Sequence, residues 1–200
     1  MHPRIVAAVR AQLRDRDGGR VGFKAGFGIA AVEELIGDTP VPGHLTTATQ
    51  LASGATFEAR GAGALHADCE VAVTVGSDEL GVALELVDLA REAGELEAIV
   101  TGNVLHLAFA LGPRAAGPPG EARLIVNGKV RARAPARGDH RATVEALAGI
   151  LEAAGEHLQP GDRIITGSLV QVPVTSGDHV VAEIDGLSRA EVRIAGRATA

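Results

Sequence analysis

The stretch Leu65-His66-Ala67-Asp68-Cys69-Glu70-Val71-Ala72-Val73-Thr74-Val75-Gly76 alternates along its length. Successive side chains of an extended chain point to opposite sides, so Cys69, Val71, Val73 and Val75 share one face. His66, Asp68, Glu70 and Thr74 share the other. The pattern predicts a half-buried β-strand. It also sets an imidazole and two carboxylates within reach of one small volume. Carboxylates projected together repel, and if partly buried they require a cation. Oxygen donors suit Mg2+, Mn2+ or Ca2+ better than zinc, and Cys69 points to the opposite face, which disfavours a thiolate site. The same spacing also describes an ordinary solvated side of a sheet, and spacing alone leaves both readings open.

Downstream, residues 79–93 read two ways. Leu80, Ala83, Leu84 and Val87 suit a helix, whereas Val82, Leu84 and Leu86 alternating with Ala83, Glu85 and Val87 suit a strand. Glu85 follows that choice. On a helix it joins Asp88 and Glu92 on an exposed side; inside Val-Ala-Leu-Glu-Leu-Val it is buried and requires a partner.

Upstream, nineteen basic residues include only two lysines, Lys24 and Lys129. An ammonium is a compact charge whose pKa moves readily on burial, so each lysine needs its own account. Lys24 lies in Gly22-Phe-Lys-Ala-Gly26-Phe-Gly28, an apolar setting that would hold it against a carboxylate or a substrate anion, or leave it a plain structural residue. The segment is neither a P-loop nor a dinucleotide fingerprint, because the glycine spacing fails for both. Lys129 opens the second strand of a hairpin announced by Asn127-Gly128 between alternating runs, where a solvated edge charge accounts for it.

Helices are expected at about 4–16, ended by Asp17-Gly18-Gly19, at 29–36, ended by Gly37, and at 140–157, where Val144, Leu147, Ala148 and Leu151 form one stripe. The Pro/Gly/Thr-rich run from Asp38 to Thr47 reads as loop and edge strand. The final quarter reads as strands at 163–166, 170–174, 179–184 and 190–194. Thr166-Gly167-Ser168 places two hydroxyls beside a glycine at a strand end, where backbone N–H groups can approach an anion. No Gly-x-Ser-x-Gly elbow is present. Of the histidines, His2, His140, His157 and His179 read as surface residues, His44 as a loop residue and His106 as a satisfied core histidine; Cys69 reads as a small core hydrophobe. These elements make one β-rich α+β domain, 1–200, with an N-terminal helix in 1–17.

Composition narrows the classes. In 200 residues of net charge −6, with four Phe and neither Trp nor Tyr, the basic stripe and stacking platform of a nucleic-acid binder are missing. No apolar run approaches the length needed to span a bilayer, and the first ten residues are too charged for a signal peptide. A single cysteine fits a reducing compartment. The expectation is a cytoplasmic protein without nucleic-acid or membrane partners.

Taken in order, these segments resemble the 2-keto-4-pentenoate hydratases and related 2-oxo-acid decarboxylases of the fumarylacetoacetate hydrolase superfamily. Gly22-Phe-Lys24-Ala-Gly26 is similar to their Gly-x-Lys-x-Gly. His66-Ala-Asp68-Cys-Glu70-Val-Ala-Val stands where they have Glu-x-Glu-Ile-Ala-Phe, and Ala83-Leu-Glu85-Leu-Val matches Ala-Leu-Glu-Val-Val. Gly102-Asn103 stands at their Ala-Asp-Asn. The most specific likeness is Leu158-Gln-Pro-Gly-Asp-Arg-Ile-Ile-Thr166-Gly167-Ser168-Leu, followed by Val-Pro-Val-Thr-Ser-Gly-Asp178 and Asp185-Gly-Leu. The likeness spans about residues 18–195 and implies a mixed β-roll with a few flanking helices.

It further implies a divalent metal, Mg2+ or Mn2+, held by Asp68, Glu70 and Glu85, with Lys24 and Glu70 catalytic and Thr166, Gly167, Ser168 and Asn103 binding substrate. The implied activity is a metal-dependent lyase, hydratase or decarboxylase, acting on a small 2-oxo or 2-hydroxy-dienoic acid through a chelated enolate. The implied assembly is a homo-oligomer. The chain departs from the pattern at Asp68, which replaces a glutamate, and at Val41, Ala98 and Gly102, where acids are expected. Losing those acids removes candidate bases for water addition. A repurposed tautomerase or cyclase, and a scaffold that lost the metal chemistry, are the alternatives.

Overall fold

The computed structural model describes residues 2–91 and 95–196. In chain order the elements begin α1 (Pro3–Arg14), β1 (Arg20–Gly26), α2 (Ala30–Ile36), β2 (Val41–Thr46), β3 (Gln50–Leu51), β4 (Thr56–Glu58), β5 (Leu65–Thr74) and β6 (Leu80–Asp88). They continue with α3 (Leu96–Thr101), β7 (His106–Leu111), β8 (Glu121–Val126), β9 (Lys129–Pro135), α4 (His140–Ala154), β10 (Arg163–Ile165), β11 (Val170–Pro173), β12 (His179–Ile184) and β13 (Arg189–Ala195).

Two sheets share these strands. The larger runs β2-β1-β10-β5-β6-β7-β3, with β11 also paired to β5; the smaller runs β4-β13-β12-β8-β9. The apolar face of β5 expected from its alternation, with Cys69, Val71 and Val73, packs with Val82, Leu84 and Leu86 of β6 against Leu124, Val180 and Val192 of the smaller sheet. The other face of the larger sheet turns inward on itself. Leu45 of edge strand β2, Ala72 of β5, Ala83 of β6, Phe109 of β7 and Ile165 of β10 form one buried cluster, which strands spread across a flat sheet could not do. The sheet is curled into a half-barrel.

That curl corrects one expectation. β5 is buried on both faces, so its polar side is the inside of a roll rather than a half-buried sheet's wet surface. The ambiguity at 79–93 resolves to a strand through Asp88 and a short turn over Leu89–Arg91; residues 92–94, including Glu92, lie outside the described part. Tertiary pairing decides it, because β6 pairs with β5 along its whole length and with β7 over Ala83–Val87. His44 is also corrected: it stands in β2, not in a loop.

Other expectations hold. Asn127 and Gly128 adopt φ of 52° and 75°, as a type I′ hairpin requires, and Lys129 is exposed on edge strand β9. α4 is capped by Asp139, whose side chain accepts from the Ala142 N–H, and ends at Ala154, before left-handed Gly155 and short of the expected 157. α1 ends at Arg14, two residues early, and α2 stops at Gly37. Together with α3, these two helices cover the open end of the roll through Ile5, Val9, Val32, Ile99 and Val100. No helix among the described residues is long and apolar enough to cross a membrane.

Candidate metal centre

Strand register assembles the site. β5 and β6 are antiparallel, with Asp68 directly opposite Glu85 and Glu70 opposite Ala83. Directly opposed side chains on one face are close neighbours, and Glu70, two residues from Asp68, shares that face. The three carboxylates each offer an oxygen within 4.8 Å of the others, and all three are buried. β1 brings Lys24 from two strands away, again on the inner face.

Lys24 Nζ lies 2.5 Å from Glu85 Oε1 and donates to the Val104 carbonyl at 3.1 Å. The ammonium therefore sits to one side of the triad and leaves Asp68 and Glu70 free of direct contact with it. Gly43 on β2 makes this route possible: a Cβ there would come within 2.6 Å of Lys24 Cγ. Val104 belongs to an unusual run in which Asn103, Val104 and Leu105 all have left-handed φ, 64°, 53° and 67°. Such a run is unfavourable for a β-branched residue. Val104 N–H donating to Ile99 O and His106 N–H donating to Asn103 O hold it in place.

His106 fixes the other side of Glu85. Its Nδ1 lies 2.7 Å from Glu85 Oε1 and its Nε2 3.0 Å from Thr49 Oγ1. A carboxylate can only accept here, so Nδ1 carries the hydrogen and the Thr49 hydroxyl donates to Nε2. The core histidine is satisfied, as expected, and it also orients a carboxylate. Glu70 Oε2 accepts from the Gly167 N–H at 2.7 Å. Gly167 has φ of 100°, and a Cβ on it would meet the Phe27 ring at 2.7 Å, so only glycine serves there.

The charges answer to these contacts. Burial pushes Asp68 up to about 7, and the neighbouring Glu85 charge adds to it. Burial also drives Glu70 well above the ordinary carboxylate range, again with Glu85 adding. Burial works on Glu85 in the same direction, but Lys24 and His106 outweigh it and bring it to about 2. Lys24 stays charged: burial opposes its charge, and Glu85 and Glu70 overcome that. One ammonium therefore serves three carboxylates. Asp68 Oδ1 is buried with no hydrogen-bond partner among the described residues. An orphaned acidic oxygen beside two further carboxylates is the donor set of a hard divalent cation, so these residues fit a metal.

The triad and Lys24 form the floor of a cavity of about 500 Å³. Thr166, Gly167 and Ser168 line it, as do Phe27, Leu105 and Gln171. Thr166 Oγ1 is engaged already, donating to the Val71 carbonyl at 3.1 Å with His140 Nδ1 at 3.0 Å. Asn103 is not part of the lining. Its amide clamps β2, accepting from His44 N–H at 2.7 Å and donating to His44 O at 3.0 Å, which anchors the left-handed turn behind Lys24. His66 also stays away from the cavity, its ring against the Ala64 carbonyl. Cys69 is a buried thiol pushed up to about 12 by burial.

Sequence reasoning missed three participants. His140, read as a surface residue, is half-buried against Thr166 at the cavity wall, where burial lowers its pKa. Thr49 gives no sequence signal. Gln171 is an isolated polar residue in an apolar strand, and it pairs directly with Asp68 across β11 and β5.

No protein-family model matches the chain, and no curated protein matches it in sequence. Solved structures do match in fold. A 4-oxalocrotonate decarboxylase from Pseudomonas putida G7, complexed with magnesium and adipate, superposes with a TM-score of 0.80 at 21% identity, covering 95% of this chain and 86% of its own. A 5-carboxymethyl-2-hydroxymuconate delta-isomerase from Mycobacterium smegmatis gives 0.65 at 18%, covering 90% and 81%. A fumarylpyruvate hydrolase from Pseudomonas aeruginosa, in complex with Mn2+ and pyruvate, gives 0.61 at 18%, covering 92% and 93%. The chain has the fold of the fumarylacetoacetate hydrolase superfamily, whose members among these neighbours are a decarboxylase, an isomerase and a hydrolase.

Proposed function

We propose that this protein is a divalent-metal-dependent lyase that opens a small 2-oxo acid through its enolate. The observation that carries this reading is the buried triad Asp68, Glu70 and Glu85, with one orphaned oxygen, on the floor of a cavity of substrate size. The metal-bearing neighbours of the same fold support it. Mg2+ or Mn2+ held by the three carboxylates would supply Lewis-acid stabilisation of negative charge on the 2-oxo oxygen.

The remaining roles belong to the chain. Lys24 Nζ, kept charged beside Glu85, holds a proton next to the reacting carbons and offsets negative charge developing there. Ser168 and the 166–168 turn receive the substrate carboxylate. The Gly167 N–H and His106 Nδ1–H keep Glu70 and Glu85 in fixed orientations. Val87, Val104 and Leu105, buried in the lining, exclude water from the carbon chain. Decarboxylation is favoured over hydration, because Val41, Ala98 and Gly102 stand where water-activating acids are expected. We place the enzyme in the cytoplasm as a homo-oligomer, on its single buried cysteine and on the likeness stated above.

The test is exchange. With Mn2+ present, the protein is expected to raise its melting temperature and to catalyse deuterium exchange at C3 of 2-oxobutanoate in D2O, followed by NMR. Exchange reports the enolate whichever bond is cleaved afterwards. A melting temperature indifferent to Mn2+ and Mg2+, with no exchange above background, overturns the proposal.

A further inference from the structure

The segment from Arg163 to Pro173 runs antiparallel along β5 in two pieces. β10 sets Ile165 opposite Ala72, and β11 sets Val170 opposite Cys69. Between them the chain stays bonded to β5, with Thr166 N–H donating to Val71 O at 3.1 Å and Leu169 N–H to Cys69 O at 3.0 Å. It therefore passes both acids of that strand in turn. At Glu70 it supplies the Gly167 N–H. At Asp68 it supplies Gln171, the directly opposed residue, whose side chain shares the Asp68 face and lines the same cavity. Glu85 has its own donor in His106 Nδ1–H. Asp68 is the shortest of the three acids, and the long side chain facing it makes up the reach. Gln171 and Ser168 both favour the Asp68 charge through their side-chain donors, against the burial that raises its pKa. A carboxylate only accepts, so the amide meets it with its N–H2 end.

We propose that Gln171 is the positioning residue of Asp68: its side-chain amide reaches across from β11 and aims the short carboxylate at the ion. This rests on the metal-dependent reading above and adds the residue that lets an aspartate serve at this position. Each carboxylate then has a dedicated donor, Gly167 for Glu70, His106 for Glu85 and Gln171 for Asp68. Loss of a group that orients a metal ligand weakens metal binding by about 10–100-fold.

The experiment measures Mn2+ affinity by calorimetry. Gln171→Met keeps the length and removes the donor, and is expected to weaken binding about tenfold or more. Its metal-free melting temperature should stay within about two degrees of the wild type, because Gln171 is exposed. Gln171→Asn keeps an amide that falls short, and should lose nearly as much. Adding Asp68→Glu to Gln171→Asn restores the summed length of the pair and should bring affinity back to within about threefold of the wild type. Asp68→Glu added to Gln171→Met should recover nothing. Pro173→Ala, on the same face of β11, should leave the affinity unchanged. Full affinity in Gln171→Met, or recovery by Asp68→Glu in both backgrounds or in neither, overturns the assignment and leaves the metal-dependent reading standing. A wild type that binds no Mn2+ overturns both.

Discussion

The two sheets are built from similar alternating sequence and meet different fates. In the smaller sheet, β8 and β12 follow their pattern residue by residue, with every second side chain buried and the rest reaching solvent. In the larger sheet, β5 alternates in chemistry, yet it and β6 are buried at all but one position each. One sheet keeps its polar face wet, and the other curls and encloses it. The same period-two signal therefore means surface in one place and a charged interior in the other. Three carboxylates against one lysine would be unremarkable on the smaller sheet; inside the roll, burial first and the Glu85 charge second raise the pKa of Asp68 and Glu70, and the set fits a cation.

The largest effect expected from this contrast is on the enclosed face. Glu70→Ala should lower turnover by about 10³-fold or more, on the scale of several kcal/mol of Lewis-acid stabilisation, and abolish the melting shift with Mn2+. Retention of both would show that the enclosed carboxylates hold no ion. Next comes the layer between the sheets. Leu84 is fully buried, so Leu84→Ala should lower unfolding free energy by about 2–5 kcal/mol in urea titration while the metal-induced shift survives. A loss of metal response there would mean that the two faces of β6 are not independent.

A third expectation uses pH. Asp68 is held at about 7 in the fold, so the folded metal-free protein keeps a proton that the unfolded chain has released. Stability from this group is complete below the unfolded value of about 4 and is lost as pH rises through about 7. Glu70 shifts in the same direction and adds to it. Glu85 acts oppositely, but its contribution is lost only as pH falls through about 2. The metal-free protein should therefore melt several degrees lower at about pH 8 than at about pH 6, and saturating Mn2+ should reverse the order, because the ion competes with protons for the same oxygens. A melting temperature flat across that range would show Asp68 solvated. The smallest effect belongs to the smaller sheet's edge: Val130 is 54% exposed, and Val130→Thr should change stability by no more than about 0.5 kcal/mol.

Much of this was legible beforehand. Asn127-Gly128 announced its hairpin, the stripe of Val144, Leu147 and Leu151 announced α4, and Asp68 with Glu70 announced two acids on one face. These are local facts, set by backbone geometry and the period of the side chains. His140 and Asn103 were misplaced for the opposite reason. Whether a histidine at a helix start faces water or a cavity, and whether an asparagine meets substrate or the backbone of β2, depends on elements remote in the chain.

Glu85 marks the boundary most clearly. Sequence alone determined that it lies in an apolar run and, if buried, must find partners, since an unpaired buried carboxylate is too costly to tolerate. It also determined the alternation of β5 and the scarcity that makes Lys24 conspicuous. Only the tertiary structure decided that β6 is a strand, that its register sets Glu85 opposite Asp68, and that the sheet curls to bury both. Register and curl are set by contacts between residues tens of positions apart, whose energies no single stretch of the chain contains.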